Sequence, residues 1–133
     1  MDDSGYNSLM ILVSIVASVA IGMVWYAPPV FGKTWQKLLG MPENTKPGIA
    51  AFAIWIGGYV VVAITMAYLF KHLGANDAFQ GARWGLTLGL TLIAPAVAGN
   101  FAFAKTSPKA FLIEIGYVVV SLAVMGAIIG AGR

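Results

Sequence analysis

Four apolar runs, each about long enough to cross a bilayer, leave this chain very few folds. They cover approximately residues 7–27, 49–70, 79–103 and 110–130. Crossing hydrocarbon about 30 Å thick takes roughly 20 helical residues. Backbone N–H and C=O groups in lipid must pair within their own segment, so each run reads as a helix. A closed β-barrel would show short segments of alternating polarity, and these runs do not alternate. Of the 133 residues, 59% are hydrophobic and 10% charged. Soluble domains carry about 25% charged residues, so this chain is too apolar to cover a water-facing surface. The opening "MDDSGYNS" is acidic, whereas a secretory signal begins positive. The first run is therefore expected to be a retained span.

The connections "KHLGAND" and "KTSPK" are short and suit antiparallel neighbours. The expected fold is an all-α integral membrane protein: an up-down bundle of four transmembrane helices, one membrane domain over residues 1–133. The first loop, residues 28–48, is longer, and its segment 29–40 is expected to lie in the membrane interface. Pro29 suits a first helical position. Phe31, Trp35, Leu38 and Leu39 fall on one helical face, while Lys33 and Lys37 lie one turn apart on another. Gly40 and Pro42 end the segment. Such a helix rests its apolar face at headgroup depth and turns its lysines to lipid phosphates. Because Gly32 weakens a continuous helix, a structured turn followed by a shorter helix is the other reading.

Lysines and arginines near span ends set orientation. Loops one and three carry Lys33, Lys37, Lys46, Lys105 and Lys109, against Lys71, Arg83 and Arg133 on the other side. This balance predicts a multi-pass protein of the cell inner (plasma) membrane, with loops one and three cytoplasmic and both termini outside.

Polar residues inside spans are costly and point to function or packing. Ser14, Ser18, Gly22 and Tyr26 repeat every fourth residue in the first span, and Glu114, Tyr117, Ser121 and Met125 form a stripe in the fourth. Arg83, Thr87, Thr91 and Ala98 make a comparable stripe in the third, with Asn100 near its end. These stripes are expected to converge. The predicted product is a polar pocket at the cytoplasmic mouth, formed by Trp25, Tyr26, Asn100, Glu114 and Tyr117, with Phe31 and Trp35 as its rim. The plainer readings are an interfacial Glu114 paired with Lys105 or Lys109, an interhelical hydrogen bond for Asn100, and belt positions for the aromatics. Gly81, Gly85 and Gly89, with Gly126 and Gly130, recur every fourth residue, a spacing that lets helix backbones approach closely. It also fits a homo-oligomer.

The chain has no cysteine and one histidine, His72. Thiol nucleophiles and thiolate metal sites are excluded, and neither a catalytic set nor a metal or cofactor site is expected. A net charge of +3, scattered along the chain, lacks the clustered basic face of a nucleic-acid binder.

The stretch "VWYAPPVFGKTW" resembles the opening motif of a bacterial four-span integral membrane protein family, domain of unknown function 1761. That motif is approximately V-W-Y-S-P-x-x-F-G-K-x-W at the end of the first span. "NFAFAKTSPKAFLIEIGY" is similar to its second half. The resemblance implies Val24, Trp25, Tyr26, Pro28, Phe31, Gly32, Lys33, Trp35, Asn100, Gly116 and Tyr117 as signature positions. Ala27 departs from the usual Ser. The resemblance implies four spans and supplies no activity. The expected function is a small homo-oligomeric channel or transporter for a small solute or ion. The alternative is a non-catalytic membrane partner or lipid-binding protein. An intramembrane enzyme is not expected.

Overall fold

The computed structural model describes residues 5–42 and 48–133. Lys46, used above to orient the chain, and the acidic pair Asp2 and Asp3 lie outside the described residues. The described residues form helices joined by turns, with helices α1 (Ser8–Trp25), α2 (Lys33–Leu38), α3 (Ile49–Leu73), α4 (Ala78–Leu88), α5 (Ala94–Phe103) and α6 (Pro108–Ala131), and no strand among them. Four membrane-length helices result, because α4 and α5 run on as one span, Ala78–Phe103.

Side chains cap the starts of α1, α4 and α6. Asn7 accepts a hydrogen bond from the Met10 N–H at α1, and Asp77 accepts one from the Gln80 N–H at α4. Gln80 Oε1 in turn accepts from the Asn76 N–H, 2.9 Å away. Ser107 caps α6, with Pro108 at the first helical position, where its missing N–H costs nothing. The second span ends at Gly74, whose φ of 71° lets the Ala75 N–H reach back to the Phe70 carbonyl.

The last helix is the centre of the bundle. Helix α6 packs against α1, α3 and α4, and α1 packs against α3. Opposed residues give the directions: Gly81 meets Gly126 and Gly130, Gly85 meets Leu122, and Gly89 meets Val119, so α4 and α6 are antiparallel. The α4–α6 seam is made of backbone. A methyl group on Gly81 would strike the Gly126 carbonyl, and one on Gly126 would strike that of Gly81. Packing at this distance supplies van der Waals contact where no hydrophobic force separates helix from lipid.

The first helix turns a small, polar face inward and a large, apolar face outward. On α1 the buried residues are Ser14, Ser18 and Gly22, while Leu9, Leu12, Val16 and Met23 are exposed. Ser14 and Ser18 donate to the Ile11 and Ile15 carbonyls of their own helix, which satisfies each hydroxyl without a partner helix. Larger core side chains, Met66, Phe70 and Met125, fill the far half of the bundle.

The third span departs from expectation in the direction of its polar stripe. Arg83, Thr87 and Thr91 are exposed and do not converge on the bundle. They stand two residues from Gly81, Gly85 and Gly89, about 200° around a helix of 3.6 residues per turn. Only one of the two stripes can face inward. The glycines win because they admit the α6 backbone, and the threonine hydroxyls bond their own helix at Arg83 O and Thr87 O. The span is also not one straight rod. Pro95 has no N–H and its ring clashes with the carbonyl four residues back. A π-helical bulge over Gly89–Ile93 accommodates it, with the Ala94 N–H donating to the Gly89 carbonyl. Such bulges kink helices, and beyond this one α5 has no buried residue.

Substituting Gly81→Ala places a Cβ against immovable backbone. Overpacking of this kind costs about 1–3 kcal/mol. The expected result is a lower melting temperature in detergent, whereas Gly99→Ala, which meets nothing within 4 Å, leaves it unchanged.

Candidate functional site

The site begins where α1 stops. Ala27 is extended, and Pro28 and Pro29 offer no N–H to continue the helix. The chain makes one π turn, Pro28–Gly32, in which the Gly32 N–H donates to the Ala27 carbonyl at 3.1 Å. Gly32 is buried, and a methyl there would strike the Tyr26 carbonyl, so this turn requires glycine. Helix α2 follows the turn and packs against α6. Phe31 rests on Trp25, ring centroids 5.0 Å apart, and Trp35 meets Tyr26 edge-on at 5.1 Å. Gly40, with φ 70°, and a Met41 N–H bond to the Gln36 carbonyl end α2.

Between the end of α1, α2, the start of α3 and α6 lies a cleft of about 790 Å³. Tyr26, Trp35, Phe52, Trp55, Tyr59 and Tyr117 supply its aromatic walls, and Glu114 is the single carboxylate among the described residues that line it. Tyr117 is the hub. Its hydroxyl donates to the Ser18 carbonyl at 2.9 Å and accepts from Trp55 Nε1 at 3.2 Å. Its ring stands 5.5 Å from Tyr26 and 5.7 Å from Tyr59. One side chain of α6 thereby fixes α1 and α3. Gly22 makes room for this junction, since a Cβ there would collide with the Trp55 ring.

Two buried polar atoms, Trp35 Nε1 and Ser121 Oγ, have no hydrogen-bond partner among the described residues. Trp35 Nε1 lies beside the Glu114 carboxylate without closing a hydrogen bond. Glu114 is half-buried and forms no ion pair with Lys105 or Lys109. Ser121 sits next to the Tyr59 and Tyr117 hydroxyls, deeper in the bundle. No group of three or more His, Cys, Asp or Glu is assembled among the described residues. A smaller hollow, about 280 Å³, lies at the opposite end against Leu73, Gln80, Arg83 and Thr87, with no acidic group among the described residues that line it.

Of the expected pocket residues, Tyr26, Glu114 and Tyr117 come together. Trp25 does not line the cleft. Its indole N–H donates to the Ile113 carbonyl at 2.9 Å and its ring covers Gly116, so it pins α1 to α6. Asn100 is exposed on α5 and lies apart from the cleft, because the kinked half of the third span diverges from α6. Phe31 and Trp35, expected to rest on the membrane surface, are turned onto Trp25 and Tyr26 by the π turn. Lys33 and Lys37 are exposed on α2. Phe52, Trp55 and Tyr59 escaped the sequence reading. Trp55 and Tyr59 stand one helical turn apart, the same spacing that marked the stripes on the other spans.

Four membrane-length helices gathered on the last of them, with an aromatic cleft at one end, define a small multi-pass helical membrane protein. Within that class the chain belongs to the family described as Protein of unknown function (DUF1761), which it matches over residues 9–130. No curated protein and no solved structure matches it.

The hydrogen-bond relay makes a direct prediction. Tyr117→Phe and Trp55→Phe each remove the same bond, at about 1 kcal/mol apiece. In a double-mutant cycle of thermal unfolding, the Trp55→Phe effect should largely vanish in the Tyr117→Phe background.

Proposed function

We propose that this protein binds a small solute in the aromatic cleft and moves it across the membrane as a non-catalytic transporter, with the cleft opening on the cytoplasmic side. The observation that carries the reading is the pairing of a roughly 790 Å³ apolar cleft with a single half-buried carboxylate, Glu114. Ligand sites are largely apolar hollows of about 300–1,000 Å³ with a few convergent polar groups. A carboxylate placed within a span is costly unless it serves a pathway or a partner, and Glu114 has no ion-pair partner among the described residues. The lysine balance supports the cytoplasmic side. In vesicles holding a pH-sensitive dye, the wild type is expected to collapse an imposed pH gradient, and Glu114→Gln is expected to match protein-free vesicles. Equal rates for the two proteins overturn transport through Glu114.

Four helices enclose little space for a path, so transport calls for a second copy of the chain. The glycine seam is spent inside one chain. The second copy is therefore assigned to the outward face of the third span, where Arg83, Thr87 and Thr91 are exposed. The native chain has no cysteine, so a single Thr91→Cys variant reports this contact cleanly. Oxidation in membranes is expected to give a disulfide-linked dimer, whereas Val61→Cys, on the exposed face of α3, stays monomeric.

The second reading is lipid binding. It is favoured by the exposed Lys33 and Lys37 on α2, the helix whose Trp35 and Gln36 line the apolar cleft. That reading expects an anionic lipid to co-purify, with no flux in vesicles.

A further inference from the structure

We infer that the cleft between α1, α2, α3 and α6 selects a hydrophobic organic monocation, such as a quaternary ammonium or an aryl phosphonium. This inference rests on the cleft being a solute site, and it names the class of solute.

The lining chemistry narrows the choice by charge first. Among the described residues that form the cleft, Glu114 is the one charged side chain. Lys33 and Lys37, the nearest cations on α2, are exposed and do not line it. An anion would meet a carboxylate and no counter-charge, so anions are disfavoured. An inorganic divalent cation requires several oxygen ligands, and no cluster of acidic or imidazole groups is assembled among the described residues. A polyhydroxylated neutral solute needs many free donors and acceptors. The best-placed hydroxyl, Tyr117, is already committed at both its donor and acceptor positions, to Ser18 O and Trp55 Nε1.

What the cleft offers is ring surface. Tyr26, Trp35, Trp55, Tyr59 and Tyr117 surround the space beside Glu114, with Tyr26 within 5.1–5.5 Å of its ring neighbours Trp35 and Tyr117. The faces of aromatic rings carry negative partial charge and attract a weakly hydrated cation, most strongly where water is excluded. A soft organic cation loses little hydration on entry, buries its apolar groups against Phe52 and Met23, and places its charge near the carboxylate. A proton can occupy Glu114 without touching the aromatic walls, so the walls point to a larger, organic cation that shares the same carboxylate with protons.

The test uses two ions of the same shape and opposite charge. Full-length protein in nanodiscs of zwitterionic lipid is dialysed to equilibrium against tetraphenylphosphonium or tetraphenylborate, with empty nanodiscs subtracted. Saturable binding of the phosphonium and none of the borate is expected. Glu114→Gln and Trp35→Leu are each expected to weaken phosphonium binding by about tenfold, the scale of one desolvated cation–π or charge contact. Retention of the wild-type melting temperature shows that each variant folds. Should a variant not fold, the comparison of the two ions on the wild type still decides. If both ions saturate with equal affinity and both are lost in Trp35→Leu, charge selection is overturned while the cleft remains a solute site. If neither ion binds above empty nanodiscs, the cation class and the cleft as a site for such solutes both fall.

Discussion

The Tyr117 hydroxyl holds the arrangement from which the rest follows. It gives its proton to the α1 backbone at Ser18 and takes one from Trp55 on α3, so one oxygen on α6 joins three helices. In hydrocarbon, water does not compete for these bonds, and their value lies in register more than in strength. Once α1 and α3 are set against Tyr117, Trp25 falls over Gly116 and donates to Ile113 O. The end of α1 is then fixed, and with it the point where the two prolines turn the chain.

That turn decides what the site is. A continuous surface helix from Pro29 would have laid Trp35 on the membrane. The extra residue of the π turn rotates the following helix so that Trp35 covers the cleft and faces Tyr26. Close packing of Gly32 on the Tyr26 carbonyl makes this geometry available. The cleft is thus closed on one side by a six-residue helix, Lys33–Leu38. That cover is joined to the bundle through aromatic edges and two glycine-dependent turns.

Much of this was legible in the residues, and the failures have physical causes. Helix number and length follow from apolar runs that only helices can carry through lipid. The inward face of α1 was legible too, because Ser14, Ser18 and Gly22 are the only non-apolar or very small repeats on an otherwise bulky helix. In the third span two stripes of equal period compete, and hydroxyl-bearing residues were read as the inward face. Threonine can satisfy itself on its own helix, whereas a glycine row has no use except close approach. Asn100 was placed at the cleft by its depth near the end of the span, and the bulge before Pro95 carries that half of the span away from the cleft. Trp55 and Tyr59 were hidden for another reason: in an apolar run their rings count as ordinary hydrophobic bulk, and their spacing was not weighed.

The central position of α6 bears on how the bundle comes together. The span Ala78–Phe103 is the least hydrophobic of the four, with mean hydropathy 1.6 against 2.2–2.3 for the others. Its glycine face is met by α6. Without α6, the first three spans share little more than the α1–α3 contact. The third span is therefore held in the bundle by its glycine seam and not by its apolarity. The cleft, which takes Glu114 and Tyr117 from α6, exists only once that helix has docked.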